Sequence, residues 1–199
     1  MPRLAGAPDG RLVASWMRPQ KIRAYHGEDR GDAPPPSAYI RPRAFTRQVF
    51  PRALPARPLG VPDEFAAGRP SVAFDGADHA VAVLRMSVAL MGPAFDVRTA
   101  ESTGGGPWSA TRPVANPGFS LFDPVVAAPA SGGTVVVFTA VVLAAGKPVW
   151  IVDATDATGT QVLGVTDAGD GGGVAVAREG SAVLVAWPAA GGVQVVQRG

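Results

Sequence analysis

Five arginines crowd one stretch of the chain: Arg41, Arg43, Arg47, Arg52 and Arg57. No acidic residue lies between Asp32 and Asp63, and Tyr39, Phe45 and Phe50 are interleaved with the cations. A guanidinium group pairs with carboxylate or phosphate oxygens in a planar, two-point fashion and stacks on flat rings. These eight residues therefore read as a partner-binding segment. Two kinds of partner fit. An acidic protein surface, including that of another copy of this chain, is the favoured one; a nucleic acid gripped through its phosphates is the second. Charge distribution supplies the reason. Residues 1–69 carry 12 Lys and Arg against 6 Asp and Glu, a net +6, whereas residues 70–199 carry 6 against 10, a net −4.

Other polar groupings carry less. His26 stands near Glu28, Asp29 and Asp32, and His79 near Asp75 and Asp78, but no metal-binding spacing connects the two histidines. Asp167 to Gly173 is shaped like a calcium loop without the terminal Glu of an EF-hand, and Gly-Asp is ordinary turn chemistry. Arg30-Gly31-Asp32 spells an adhesion tripeptide and reads as a charged turn. There is no cysteine, so thiolate chemistry and disulfides are excluded. No metal site, no cofactor and no catalytic residue is expected. Of four tryptophans, Trp16, Trp150 and Trp187 fall on apolar strands and are expected to pack in the core. Trp108, in a Gly-rich turn, is the one placed to contact a glycan.

The elements that must position these residues follow from a repeat. Four segments open on Pro or Gly, pass through a turn containing Gly and end in an apolar run with a bulky residue fourteen positions after the first: Pro2 to Trp16, Pro70 to Leu84, Pro124 to Phe138 and Gly173 to Trp187. A period of roughly 40–50 residues marks a solenoid or propeller. The composition agrees, with 25 Gly and 20 Pro punctuating Val- and Ala-rich runs and no amphipathic helical stretch. The fold class is all-β: a β-propeller-like array of about four antiparallel four-stranded blades with a long Pro/Arg-rich arm. Residues 1–32 form the inner strands of the first blade, with Ile22 to His26 as its third strand. Residues 33–69 form the arm, with an outer strand at Thr46 to Phe50. Residues 70–199 form three further blades, the last with only three strands. Eight prolines between Ala33 and Pro62 disfavour helix and sheet interiors and give the arm its extended character. The longest apolar run, Thr134 to Ala145, is too short to cross a bilayer, and the leading residues lack the apolar core of a signal peptide, so a soluble chain is expected.

The repeats resemble those of sialidase-type β-propellers. The resemblance rests on Pro8-Asp9-Gly10-Arg11-Leu12-Val13 and Pro124-Val125-Val126-Ala127, which match the opening of a blade in that family. Glu101-Ser102-Thr103-Gly104-Gly105-Gly106-Pro107-Trp108 resembles its Asp-box with the Asp lost, and Asp153 to Thr160 takes the equivalent place in the next unit without the Trp. The resemblance implies propeller blades. It does not carry sialidase activity over. That activity needs arginines gripping a carboxylate, a nucleophilic Tyr paired with Glu, and an acidic Asp. Here the only tyrosines are Tyr25 and Tyr39, Arg3 follows Pro2 rather than preceding a proline by two positions, and four units stand where six are expected.

The functional expectation is a non-enzymatic structural or interaction module, a subunit of a larger assembly such as a virion or tail-like particle, docked through its Pro/Arg-rich arm. A glycan-binding, lectin-like propeller is the alternative, and a degenerate glycosidase is third. Open sheet edges invite pairing, so an assembly that covers them is anticipated.

Overall fold

The computed structural model describes residues 2–21, 40–60, 65–76, 78–87, 95–115, 123–166 and 173–198. They form an all-β, four-bladed propeller-like array, with no helix among them. The first sheet holds β1 (Arg3–Gly6), β2 (Leu12–Lys21), β3 (Ile40–Phe50) and β4 (Arg57–Pro58). The second holds β5 (Phe65–Ala66), β6 (Ser71–Phe74), β7 (His79–Ser87), β8 (Phe95–Thr103) and β9 (Arg112–Ala115), with β5 and β6 both pairing with β7. The third holds β10 (Val125–Ala127), β11 (Val135–Ala144), β12 (Lys147–Asp156) and β13 (Gly159–Val165). The fourth holds β14 (Ala175–Glu179), β15 (Ala182–Ala189) and β16 (Gly192–Arg198).

Tight turns of the type their residues dictate join β1 to β2, β11 to β12 to β13, and β14 to β15 to β16. In the first, Gly10 takes a φ of 85°, which its missing Cβ permits, and the Asp9 carboxylate accepts the Arg11 amide at 3.1 Å. Strands β7 and β11 are buried on both faces, and this alternation welds the array. Leu84, with Ala80, Ala82 and Met86, faces the first sheet and meets Ala5, Val13, Met17 and Ala44. Val81 and Val83 face the other way, onto Phe138, Val136 and Ala140 of the third sheet. Val135 and Val137 in turn meet Trp187, Val185 and Val183 of the fourth. The bulky residue closing each of these repeats therefore packs against the preceding sheet. Burial of such a side chain contributes roughly 1.5–3 kcal/mol.

Two readings of the sequence need correction. The strand expected at Thr46 to Phe50 is present but begins at Ile40 and lies third in its sheet, so residues 40–45 are strand and not arm. β3 is the longest strand of the first sheet and pairs along its length with β2, from Lys21↔Ile40 to Leu12↔Phe50. Its inward residues are the small Ala44 and Thr46, both buried, whereas Phe45 is half-buried and Arg47 exposed. Apolarity alone therefore points to the wrong face. Ile22 to His26, expected as the third strand, lies outside the described residues, as do residues 33–39 of the expected arm. The second correction concerns the fourth repeat, which slips by one. The third residue of the repeat pairs with the thirteenth in the first three sheets (Leu4↔Ala14, Val72↔Ala82, Val126↔Val136), but Ala175 pairs with Ala186 rather than Val185. The hairpin there tightens to Gly180 and Ser181, so Val174 and Val176 turn to the core.

Candidate interaction surface

One face of the first sheet packs on the second sheet; the other carries the candidate site. Paired residues of antiparallel strands share a face, so the register assigns it. Leu4 lies opposite Ala14, Trp16 opposite Phe45, Ala14 opposite Arg47, and Phe45 opposite Pro58. Trp16 and Phe45 stack with centroids 6.1 Å apart and planes 20° from parallel. Leu4, Leu12, Val49 and Phe50 are exposed around them. Strands β1 to β4 contain no carboxylate, while Arg18 and Arg43 stand directly opposite each other. Like charges placed so are mutually destabilising. The Arg43 Nε is buried and has no hydrogen-bond partner among the described residues. An apolar, aromatic patch thus lies among guanidinium groups that pair with no carboxylate of the described residues, which is the chemistry that would suit an acidic surface with apolar side chains.

The residues singled out from the sequence divide as follows. Phe45, Arg43 and Arg47 lie on this face, and Phe50 at its end beside Leu12. Arg57 turns the other way and donates from Nη1 to the Gly105 carbonyl at 2.9 Å, tying the first sheet to the second. Arg52 sits in the exposed turn after β3. Tyr39 and the side chain of Arg41 lie outside the described residues. Trp108, expected to stand free for a glycan, is half-buried against the core between the first two sheets. Its Nε1 donates to Thr46 Oγ1 at 2.6 Å, because the turn after β8 folds back along the sheet; Ser102 Oγ donates to the Gly106 carbonyl at 2.9 Å and holds that turn. Trp187 is fully buried as expected, but Trp16, expected in the core, belongs to the open face. Leu4 and Leu12 were not singled out. Their signal is the repeat itself, since equivalent residues face the preceding sheet.

A second charged cluster lies at the amino ends of the inner strands. Asp123 accepts from Arg69 Nε at 2.7 Å and from the Arg69 amide at 2.9 Å, and Arg3 Nη2 stands 3.8 Å from it. Arg3 Nη1 donates to the Pro124 carbonyl at 3.1 Å, and Arg85 Nη2 to the Ala67 carbonyl at 2.6 Å. Burial pulls the Arg3 and Arg85 guanidinium groups below the usual arginine pKa, and the Asp123 charge opposes that shift. A side chain at Gly68 would collide with the Asp123 carboxylate, so only glycine fits there. The cluster joins the first three sheets, and the chain's own carboxylate fills it.

His79 approaches Asp75 at 3.7 Å and Glu101 at 3.9 Å. Among the described residues no three His, Asp or Glu side chains gather as metal ligands, and His26 with its acidic neighbours and residues 167–172 lie outside them. No helix among the described residues is long and apolar enough to cross a membrane. The chain matches no protein-family model and no curated protein.

Proposed function

We propose that the protein is a non-enzymatic docking module, a subunit of a larger assembly that binds a protein partner through the outer face of its first sheet. The observation that carries this reading is the composition of that face. Leu4, Leu12, Trp16 and Phe45 are set among Arg18, Arg43 and Arg47 on strands that hold no carboxylate. Aromatic residues and arginine are the types that dominate binding energy at protein interfaces, and an acidic partner relieves the opposed guanidinium groups. The Trp108 ring, tied to Thr46, offers less to a sugar. We attribute the repeat to a sialidase-type ancestry; the Pro8-Asp9-Gly10 turn of the first unit and the Ser102 to Trp108 turn between β8 and β9 support this.

The test is the native size of the chain in an extract of the cells that make it, for the wild type and for Phe45→Glu and Arg47→Glu. A complex well above the chain mass of 20.3 kDa is expected, and either substitution should release the free chain while circular dichroism stays unchanged. A wild-type chain that migrates alone, or a complex indifferent to both substitutions, overturns the proposal. A complex that nuclease digestion dissolves moves the assignment to nucleic acid.

A further inference from the structure

The three apolar interfaces run in series, from the first sheet to the second, third and fourth. Among the described residues no fourth cluster joins the fourth sheet back to the first. Equivalent positions make this plain. Leu4, Val72 and Val126 occupy one place in the repeat and face the preceding sheet. Val72 is 8% and Val126 4% exposed, whereas Leu4 is 68% exposed. Ala44, Val97, Val152 and Val193 occupy another, facing the following sheet. The first three are 1%, 0% and 0% exposed, and Val193 is 70% exposed. Each end of the array thus presents half of an interface that the chain completes three times elsewhere.

The two halves are complementary in kind. Every internal interface seats a bulky residue of the later sheet on a floor of small and β-branched residues of the earlier one: Leu84 on Ala5, Val13 and Ala44; Phe138 on Val81, Val83 and Val97; Trp187 on Val137, Val152 and Ala154. Trp16 is the unseated bulky residue, and Ala175, Ala177, Leu184, Ala186, Val193 and Val195 are the unoccupied floor, sharing a face by register. Glu179, at the tip of β14, is the one ionisable residue on the outward strand positions of this floor, and it is a carboxylate, whereas the Trp16 face carries Arg18, Arg43 and Arg47.

We propose that a second copy of this chain seats its Trp16 face on the fourth sheet, and the reverse, so that two copies close one ring head to tail. This rests on the docking reading above and names its partner. A head-to-tail contact grows without end unless it closes on itself. Propellers typically have 4–8 blades, and two copies of four reach that limit, whereas three exceed it.

Leu4→Glu and Val193→Glu each alter a side chain already exposed in the single chain, so both variants should fold. Analytical ultracentrifugation of the purified wild type is expected to show a species of twice 20.3 kDa. Either variant alone should dissociate, with the dissociation constant raised about 100-fold or more. A mixture of the two retains one intact interface, Trp16 of the Val193→Glu chain on the floor of the Leu4→Glu chain, and should pair one to one. Trp16→Glu is expected to behave as Leu4→Glu does. A wild type that stays single to the highest concentration overturns the inference. So does a Val193→Glu chain that still pairs with itself, which would mean like faces meeting. If the pure chain is single yet heavy in extract, this inference fails and the docking reading stands; if it is single in both, each fails.

Discussion

Trp16 and Trp187 hold the same position in their repeats, and truncating each to alanine tests whether the array is open. The Trp187 side chain is fully buried among Val137, Val152, Ala154 and Val185. Its Nε1 donates to the Val165 carbonyl at 3.0 Å. Removing it costs about 3–5 kcal/mol for lost burial and cavity. Leaving the carbonyl without its donor adds about 1 kcal/mol. In a domain of this size the sum lowers the melting temperature by roughly 10–20 °C. Trp16 is half-buried and stacks on the Phe45 ring, with centroids 6.1 Å apart. An aromatic pair of this kind contributes about 0.5–1.5 kcal/mol, so Trp16→Ala should lower the melting temperature by only a few degrees. Both substitutions are made on a Val193→Glu background, which keeps the chain single, and unfolding is followed by calorimetry and by urea. Losses within 1 kcal/mol of each other would mean that Trp16 is covered by this same chain, and the serial array would be wrong.

Gly164 lies under the Trp187 indole, and a Cβ there would stand 2.8 Å from Cζ2. Gly164→Ala is expected to cost about 1–3 kcal/mol, and less in a Trp187→Leu background, as a double-mutant cycle would read. Burial raises the pKa of the Asp153 carboxyl, and its Oδ1 has no partner among the described residues. The folded chain then holds this proton more tightly than the unfolded one. The penalty is full above the raised pKa and fades as pH falls through it. Asp153→Asn should therefore stabilise the protein by about 1 kcal/mol at pH 7, with the gain shrinking in acid; a loss at pH 7 would refute the sign. Asp123→Ala leaves Arg3 and Arg69 facing each other and should cost about 1–3 kcal/mol, discounted for their partial exposure. Added acetate should restore part of that loss where chloride does not, and equal effects of the two anions would show that the carboxylate is not what holds the cluster.

The all-β array was legible because its signal is periodic. Leu84, Phe138 and Trp187 recur at one offset, and each ends on the same face of its second strand. β3 was only partly legible, for the opposite reason. A strand is expected only over Thr46 to Phe50, its second half; the residues that go inside are Ala44 and Thr46, while Phe45 and Arg47 go outside, so hydrophobicity inverts the pattern, and the nearby prolines hide the half that begins at Ile40. The tie of Trp108 to Thr46 was not legible, because the two lie 62 positions apart, a contact no local window contains. The candidate surface was half legible. Arg43, Arg47 and Phe45 stand out by composition, whereas Leu4 and Leu12 look like any core residues of the repeat. What exposes them is that no sheet among the described residues packs on their face, which is a property of the array and not of the segment.

Repeat arrays hold together by nearest-neighbour contacts, and those that end in water carry terminal repeats with polar outer faces. Neither end here is built so. One end shows Leu4, Leu12, Trp16 and Phe45, the other Ala175, Leu184, Val193 and Val195. Nor do charges guard the fourth sheet, where Glu179 at the tip of β14 is the only ionisable residue on the strand positions facing outward. The first sheet does carry charge, but of one sign, with Arg18 against Arg43. Two such faces meeting would add to that opposition, whereas the outward strand positions of the fourth sheet bring no cation to it. Apolar area that no described residue caps is what the proposed contact would bury at both ends, and the unbalanced arginines distinguish one end from the other. That difference is what a head-to-tail contact requires and what a contact between like faces would make unfavourable.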